Sequence, residues 1–296
     1  MKIIGCSGGM HLARPLSRIL GAELVPVESR LFPDGELYVR IAGDVSGDVV
    51  AIVQSTGRAP NRLLMELLLT LETAKELGAE RAVCVIPYFP YARQDSRFKP
   101  GEAISFGIVA RMLERAGMDA LVTVDLHLHR RKPEDVFRVP VENVTAMVEL
   151  ARYFSSKVKL DNPVAVAPDE EAEQWVRVFA RELGVEYTVM LKERRGDEAV
   201  EITWKGADVS GRDAVIVDDI ISTGSTIRAA TEQLLSAGAK RVFAACTHAI
   251  LAYPAEYKLS KVDDVVASDT VPSPYTRVSV ARPLAEGIKK VVSRWT

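Results

Sequence analysis

The sequence predicts an α/β protein of two duplicated domains, each a mainly parallel sheet flanked by helices. Apolar runs of strand length alternate with helix-length amphipathic segments, a pattern typical of βαβ units with right-handed crossovers. The second observation is internal repetition. AIVQSTG at 51–57 resembles VIVDDIISTG at 215–224, and LGAERAVCV at 77–85 resembles AGAKRVFAA at 237–245. We expect the domains to comprise residues 1–142 and 143–296, and the last helix could pack back on the first domain.

The first half predicts five strands and three helices. The strands are expected over 2–6, 23–28, 49–54, 81–87 and 120–124, and the helices over 10–20, 61–77 and 103–116. Residues 31–45 differ, because Asp-Gly interrupts them and ELYVRI alternates in polarity. This pattern predicts a projecting β-hairpin.

The second half repeats the plan. Helices are expected over 144–154, 170–183, 225–237 and 283–294, and strands over 164–167, 187–191, 214–217, 241–246 and 263–267.

Composition excludes some classes of function. The formal net charge of −2 at pH 7 gives no basic surface for a nucleic acid. No apolar run approaches the ~20 residues that span a bilayer, and MKIIGCSGG is too short an apolar start for a signal peptide. Cys6, Cys84 and Cys246 are odd in number and lie in or beside apolar runs, which favours reduced thiols in a cytoplasmic protein.

The strongest candidate site follows the strand at 214–217. Asp218 and Asp219 come at its carboxyl end, where open α/β sheets bind ligands. A loop of small residues comes next, namely Ser222, Thr223, Gly224, Ser225 and Thr226. Ser225 or Thr226 would cap the next helix, whose first N–H groups would bind an anion. The carboxylates suit ribose hydroxyls or a metal ion. The alternative is an ordinary strand and capped helix with an incidental acidic pair.

The first copy of this segment lacks the acidic pair. Gln54 directly precedes Ser55-Thr56-Gly57. The sequence therefore predicts that only the second copy binds a ribose phosphate.

Three other segments carry weaker signals. The loop 88–102 is long and charged, with Arg93, Gln94, Asp95, Arg97 and Lys99. Loops of this length are usually functional or disordered, so an anion site and a solvated charged loop both remain open.

Asp125, His127 and His129 lie two residues apart after the strand at 120–124, so their side chains could converge on a metal. A structural role for the histidines is the alternative. Asp169 also follows a strand and could hold Mg²⁺ through water, whereas Glu170 and Glu171 at a helix start need no function.

A basic segment follows the strand at 187–191. Lys192, Arg194 and Arg195 are expected in a mobile, glycine-containing turn, where they could cover negative charge in a phosphoryl transition state. A solvated hairpin is the alternative.

Taken in order, these segments resemble one family. FPDGE at 32–36, YARQD at 91–95, DLH at 125–127, PD at 168–169, KER at 192–194 and the 218–226 segment together resemble the ribose-phosphate pyrophosphokinases, archaeal members in particular. The resemblance covers nearly the whole chain. It implies that each domain has the phosphoribosyltransferase-like fold.

The resemblance also implies a reaction and its residues. The pyrophosphoryl group of MgATP would pass to the 1-hydroxyl of ribose 5-phosphate, with Lys192 and Arg194 as catalytic residues and His127 and Asp169 holding Mg²⁺. ATP would be bound by Phe32, Asp34, Gly35, Glu36, Arg93, Gln94, Asp95 and Arg97. Ribose 5-phosphate would be bound by Arg194, Asp218, Asp219, Ser222, Thr223, Gly224, Ser225 and Thr226.

The resemblance further implies a homodimer or larger assembly of dimers, in which the hairpin at 32–36 reaches the neighbour's nucleotide. Two departures from the family pattern concern Ser222, where many bacterial members have aspartate, and His129 with the residues after it. A phosphoribosyltransferase would share the 218–226 segment without needing FPDGE or YARQD. A regulatory homologue should have lost Lys192 and Arg194, which are present.

Overall fold

The computed structural model describes residues 1–128, 132–195, 199–253 and 255–295, with residues 192–195 and 199–203 described by their backbone. The chain divides into two compact units. The first comprises Met1–Thr145 and the segment from Val280 onward, and the second comprises Ala146–Ser279. His129, considered above as a metal ligand, lies outside the described residues.

The first unit is a parallel sheet with an appended hairpin. Its elements are β1 Lys2–Gly5, α1 Met10–Leu20, β2 Glu23–Val25, β3 Val27–Leu31, β4 Leu37–Ile41, β5 Val49–Val53, α2 Pro60–Glu76, β6 Arg81–Ile86, α3 Ser105–Arg115, β7 Ala120–Val124 and β8 Val141–Val144. Six parallel strands lie in the order β2-β1-β5-β6-β7-β8, and β3 pairs antiparallel with β4 in a separate two-stranded sheet. A hairpin is therefore present, but it comprises residues 27–41 rather than the predicted 31–45.

The second unit repeats this order. Its elements are α4 Met147–Lys157, β9 Val164–Ala167, α5 Glu173–Leu183, β10 Glu186–Arg195, β11 Ala199–Gly206, β12 Asp213–Ile221, α6 Ser225–Ser236, β13 Arg241–Ala249, α7 Ala255–Lys258, β14 Asp264–Ser268 and β15 Thr276–Val278. The sheet order is β11-β10-β9-β12-β13-β14-β15, and only the edge strand β11 among these described strands runs antiparallel. A final helix, α8 Ala281–Val292, belongs to the first unit.

The duplication extends to individual hydrogen bonds. The amide of Gly47 donates to the Gly78 carbonyl at 2.8 Å, and that of Gly211 donates to Gly238 at the same distance. In each unit an aspartate side chain accepts the amide of a strand's second residue. Asp119 accepts the amide of Ala82 in β6, and Asp263 accepts that of Val242 in β13. The predicted fold class of two copies with mainly parallel sheets is confirmed.

Both cores lie between the sheet and its helices. The residues of β5, β6, β7, β9 and β12 are nearly all buried. Strands covered by helices on both faces need apolar side chains on both, which explains their continuous Val, Ile, Ala and Leu content. Within the described ranges, no helix is both long and apolar enough to cross a bilayer.

Helix α8 closes the first unit through two features. Gly287 lies so close to the sheet that an added Cβ would be 2.9 Å from Val122 Cγ1 and 3.1 Å from Val144 Cγ1. Glu142 on β8 accepts a 2.7 Å hydrogen bond from Lys290 Nζ and another from Arg294.

Several predicted boundaries were wrong. β8, β11 and β15 were not predicted, because each is a short or edge strand held mainly by backbone pairing. Helix α5 begins at Glu173 rather than 170, since Glu170 and Glu171 lie in the preceding turn. Helix α4 begins at Met147 rather than 144, because β8 runs to Val144.

Candidate active site

The acidic pair lies within a strand of the second unit rather than after it. β12 continues to Ile221, and Ile220 and Ile221 still pair with His248 and Ala249 of β13. Asp219 is 2% exposed and Asp218 is half-buried. The sequence placed the end of the strand at Val217 because a charged pair usually ends an apolar run. Here the backbone pairing with β13 extends past it.

The Asp218 carboxyl is electrostatically unusual. Burial, and then the charges of Asp219 and Asp169, raise its pKa well above the ordinary aspartate value. Its Oδ1 accepts the Asp219 amide at 2.9 Å, which opposes the shift but does not reverse it. β9 pairs in parallel with β12, so Asp169 follows the strand next to the one that carries the acidic pair.

The small-residue loop turns at Gly224. This glycine has φ = 73°, the left-handed conformation that favours glycine, and it is itself the N-cap of α6. The prediction that Ser225 or Thr226 caps the helix was therefore wrong. Among the described residues no side chain caps α6, so its first N–H groups keep their capacity to bind an anion. The hydroxyls of Thr223 and Ser225 lie 3.1 Å apart beside them.

A lysine that the sequence analysis missed reaches this loop. Lys258 Nζ, on the short helix α7, lies 2.5 Å from Ser225 Oγ. The segment before α7 is held against the loop, because the amides of Leu251 and Ala252 donate to Ile221 and Ser222 at 3.1 and 3.0 Å. Lys258 is 33 residues from Ser225 in the sequence, so no local sequence pattern predicts this contact.

Asp169 shapes the start of the turn after β9. Its Oδ1 accepts the Ala172 amide at 3.0 Å and so closes the turn that leads into α5. This leaves the second carboxylate oxygen for a ligand, and the residue lies at the carboxyl end of β9 as predicted.

Lys192 and Arg194 lie in a strand and not in the predicted turn, and the backbone follows the hairpin that was the alternative. β10 continues through Arg195, with Lys192 opposite Ile202 and Arg194 opposite Val200 on β11. The backbone of the basic segment is thus one arm of an antiparallel pair at the edge of the sheet.

The corresponding edge of the first unit is filled by the protein's own polar groups. Gln54 is fully buried, donates to the Leu63 carbonyl at 3.1 Å and to Glu66 Oε2 at 3.2 Å, and accepts the Gly8 amide at 2.8 Å. The buried Glu66 also accepts two hydrogen bonds from Ser7, at 2.8 Å from its amide and 2.5 Å from its hydroxyl. These internal bonds occupy the acceptors and donors that a ligand would need.

The hairpin tip presents the FPDGE residues to solvent. Phe32 is 38% exposed, Gly35 has φ = 93°, and Asp34 Oδ1 accepts the Glu36 amide at 3.2 Å. The Arg30 guanidinium lies 4.7 Å from the Phe32 ring centroid and 4.4 Å from that of Tyr38. This cation–π stack fixes the base of the tip and leaves its carboxylates exposed.

The 88–102 loop is ordered by Glu102, which the sequence analysis did not single out. Glu102 Oε2 accepts the amides of Phe98 and Lys99 at 2.8 and 2.9 Å, and Arg97 Nε donates to the Glu102 carbonyl at 2.9 Å. Gln94 is half-buried, whereas the Arg93 side chain is exposed. The loop is thus anchored by Glu102 with its arginine side chains exposed, and an anion site on it stays a prediction.

The first-unit metal hypothesis loses its geometric basis. β7 ends at Val124, and Asp125 is buried with φ = 38°, so the alternation of a strand does not continue to His127. The Leu126 amide donates to Asn143 Oδ1 at 2.9 Å, and the next residue, His127, is partly exposed. Among the described residues, no three His, Cys, Asp or Glu side chains are placed to hold a metal together.

Comparisons with known proteins cover both units. A model of the N-terminal domain of ribose phosphate pyrophosphokinase matches residues 1–117, and a phosphoribosyl transferase domain model matches residues 141–278. A ribose-phosphate pyrophosphokinase of Methanopyrus kandleri is 43% identical over 295 residues, covering 98% of this chain and 99% of that protein. One from Methanothermobacter thermautotrophicus is 44% identical over 289 residues, covering 97% and 99%.

A solved structure agrees with these matches. The crystal structure of phosphoribosylpyrophosphate synthetase from Mycobacterium smegmatis superposes with a TM-score of 0.87 at 30% identity, covering 99% of both chains.

Proposed function

Since this chain belongs to the ribose-phosphate pyrophosphokinase family, we propose that it transfers the pyrophosphoryl group of MgATP to the 1-hydroxyl of ribose 5-phosphate. The products are 5-phosphoribosyl 1-pyrophosphate and AMP. The observation that carries the proposal is the near full-length similarity to enzymes of that name, which includes both units. A phosphoribosyltransferase alone would not account for the first unit, and the regulatory alternative is not favoured.

The sugar phosphate binds in the second unit. The first N–H groups of α6 and the loop from Ser222 to Thr226 bind the phosphate, and Lys258 supplies a positive charge at the same place. Asp218 and Asp219 accept hydrogen bonds from the ribose hydroxyls. The filled edge around Gln54 and Glu66 supports a single sugar-phosphate site in the chain.

ATP binds through the first-unit residues of the family motifs. Phe32 offers an exposed ring for the adenine, while Arg93 and Arg97 lie on a loop anchored by Glu102 and can pair with phosphates. Asp34, Gly35, Glu36, Gln94 and Asp95 complete this set. Because the hairpin tip is exposed, it is free to contact a second subunit.

Mg²⁺ is the expected metal, and the ligands that the family resemblance implies are Asp169 in the second unit and His127 in the first. The acidic cluster fits a cation, because burial and then the charges of Asp219 and Asp169 raise the Asp218 pKa, and a cation would offset those two charges. Mg²⁺ usually takes one or two carboxylates and keeps several waters, so it needs no closed cage of protein ligands. When bound, it neutralises charge on the phosphates.

The chemistry is a displacement at the β-phosphorus. The ribose O1 forms a bond to Pβ, the bond from Pβ to the bridging oxygen shared with Pα breaks, AMP departs with that oxygen, and the 1-hydroxyl loses its proton to water. Such transfers depend on positioning and electrostatics rather than on a protein nucleophile. Lys192 and Arg194 are the residues that the family resemblance gives for stabilising charge on the transferred group.

The enzyme forms a homodimer or an assembly of dimers and acts in the cytoplasm. The exposed hairpin tip supports the homodimer, and three free, buried cysteines support the cytoplasmic location. Burial raises the pKa of the Cys6 thiol to about 12, so this thiol is unreactive at neutral pH.

One assay tests the reaction. A mixture of the protein, ribose 5-phosphate, ATP and Mg²⁺ should yield AMP and no ADP, and ion-pair chromatography resolves the two nucleotides. The Lys192→Ala variant should have a much lower kcat, while its affinity for ribose 5-phosphate stays within a few fold of the wild-type value. ADP as the product would indicate an ordinary kinase. Consumption of added 5-phosphoribosyl 1-pyrophosphate with a nucleobase, without AMP formation from ATP, would indicate the transferase instead.

A further inference from the structure

The first copy of the repeated Ser-Thr-Gly segment contacts a different part of the protein from the second. Residues 55–57 and 222–224 have the same sequence, so Thr56 and Thr223 occupy matching places. Thr223 is exposed at the candidate sugar-phosphate site. Thr56 is fully buried, and its hydroxyl donates a 2.7 Å hydrogen bond to the Tyr88 carbonyl. The first copy therefore uses inside its own unit a hydroxyl that the second copy keeps exposed.

This hydrogen bond joins the first copy to the start of the charged loop 88–102. The next residue of that loop, Phe89, is buried and packs edge-to-face on Phe106 and Phe137, with ring centroids 5.4 and 5.6 Å apart. The start of the loop is thus fixed both by the aromatic core and by Thr56.

A second contact holds the loop three residues later. The Tyr91 hydroxyl donates to Oδ1 of Asn61, which lies in the first turn of α2. The inner face of α2 is buried in the core of the unit, so this helix is a firm support. Because α2 directly follows the Ser-Thr-Gly segment, both contacts come from one strand–loop–helix copy.

Tyr91 also turns the backbone of the loop. Its φ is 63°, a left-handed value that costs free energy in a residue with a Cβ. Its carbonyl accepts the Gln94 amide at 3.2 Å, and Ala92 between them is buried. Strained residues persist where the surrounding contacts determine their conformation, and they concentrate at functional sites. Arg93 and Gln94, expected to bind ATP, follow this turn directly.

We infer that the first Ser-Thr-Gly copy, together with the start of α2, positions the 88–102 loop for ATP. Thr56, Asn61 and Tyr91 are positioning residues that act through the ATP-binding side chains of the loop. The inference rests on the proposed function, which assigns those side chains to ATP. It gives the copy that lacks the acidic pair a role in binding the other substrate.

Titration calorimetry with MgATP and with ribose 5-phosphate tests the inference. Tyr91→Phe removes only the hydroxyl, so it should raise the Kd for MgATP about threefold to tenfold and leave the Kd for ribose 5-phosphate unchanged. Asn61→Ala should have the same effect. The double variant should bind no more weakly than either single variant, because both substitutions remove one shared hydrogen bond. Tyr153→Phe on α4 removes a tyrosine hydroxyl from the second unit and should change neither Kd.

Trypsin cleavage provides a measurement that needs no ligand. Arg93 and Arg97 are cleavage sites within the loop, and a loop that opens more often is cut faster. Tyr91→Phe and Thr56→Val should raise the cleavage rate at these sites, identified by mass spectrometry. Thr56→Ser keeps the hydroxyl and should not raise it. Tyr91 is exposed, so Tyr91→Phe should fold even where the buried Thr56→Val does not, and circular dichroism checks this.

The results expected from Tyr91→Phe and Asn61→Ala are faster cleavage and a selective loss of MgATP affinity. Unchanged MgATP affinity overturns the inference, whatever the cleavage rate. Weaker MgATP binding with unchanged cleavage also overturns it, because the hydroxyl would then contact ATP directly. Equal weakening of both ligands overturns it as well, since the damage would not be confined to the loop.

These outcomes are distinct from failure of the proposed function. A wild-type protein that binds no MgATP overturns the inference and the proposed ATP site together. Failure of the AMP assay, with titrations and cleavage as expected, overturns the proposed reaction and leaves the inference standing.

Discussion

At the scale of single residues, the Asp218 carboxyl links ligand binding to stability. Its raised pKa means that the folded protein binds this proton more tightly than the unfolded chain does. Stability is therefore lost as pH rises from the ordinary aspartate pKa through the raised one, and the loss persists above it. Such groups are typical of sites where stability is given up for function.

We expect Asp218→Asn to raise Tm at pH 7 and to weaken ribose 5-phosphate binding. A gain of about 1 kcal/mol would raise Tm by roughly 2–4 °C in a protein of this size class. Without ligand or Mg²⁺, the Tm difference between variant and wild type should shrink as pH falls toward 4, where wild-type Asp218 is protonated. Calorimetric scans at several pH values measure this.

The exposed Glu232→Gln serves as the control for Asp218→Asn, because its 3.3 Å contact with Lys261 is a surface ion pair of little energetic value. A Tm difference that does not change with pH would contradict the electrostatic account of Asp218.

Lys258→Ala should weaken ribose 5-phosphate binding and leave ATP binding unchanged. Loss of a charge-assisted hydrogen bond costs about 1.5–3 kcal/mol, or roughly tenfold to a hundredfold in Kd. Lys261→Ala is the matched control, since Lys261 is exposed and pairs with Glu232. Titration calorimetry with each ligand compares the two variants, and equal sugar-phosphate affinity in both would exclude Lys258 from the site.

Local sequence identified the Asp218–Thr226 segment, because an apolar run, two acids and a small hydroxylated loop are adjacent in the chain. Two features escaped it. Gly224, which has a positive φ, is the N-cap of α6 in place of the predicted serine or threonine. A glycine between two hydroxylated residues was the sequence signal for this cap. The Lys258 contact depends on chain path, which no local spacing reveals.

At the scale of elements, α8 depends on one close approach. We expect Gly287→Ala to lower Tm even though alanine improves helix propensity by about 1 kcal/mol. The new Cβ would meet stiff, buried Val122 and Val144 at 2.9 and 3.1 Å, and overpacking of this kind costs about 1–3 kcal/mol. The exposed Glu286→Ala on the same helix controls for propensity, and thermal unfolding of both variants is compared. An unchanged or higher Tm for Gly287→Ala would show that the helix shifts freely.

Predicted elements with strong apolar runs or helical periodicity were found close to their expected positions. The strands that escaped, β8, β11 and β15, are each the outermost strand of their sheet, so each pairs with a neighbouring strand on one side alone. The extension of β10 through Arg195 pairs with β11, the next strand along the chain. Pairing of this kind is tertiary information that local polarity does not carry.

At the scale of the whole molecule, the proposed dimer predicts complementation between inactive subunits. Lys192→Ala and Asp34→Ala protomers, each inactive alone, should recover activity when dissociated and mixed. Random pairing makes half the dimers heterodimers, and each would hold one intact site, so roughly a quarter of wild-type activity should return. Native mass spectrometry confirms the heterodimers. No recovery in their presence would mean that the hairpin serves its own subunit or that Asp34 has no part in catalysis.

The duplication could be predicted from the sequence, because one strand–loop segment and one helix–strand segment of the first half each have a similar segment at the matching place in the second half. The repeated strand order and the matching turn bonds have the same origin. Helices α4 and α8 each follow the last strand of one sheet and belong to the other unit. The sequence analysis expected α4 in the second domain and allowed α8 to pack on the first.

That membership of α8 sets an order of events during protein synthesis. A ribosome makes residues 146–279 before it makes the helix that covers Val122 and Val144. Domains usually fold as they emerge, amino-terminal ones first. Here the first unit must wait, with an apolar face of its sheet uncovered, until the second has been translated. The second unit is therefore the one that can complete its core first, and a chaperone acting on the nascent chain would find its binding surface in the first.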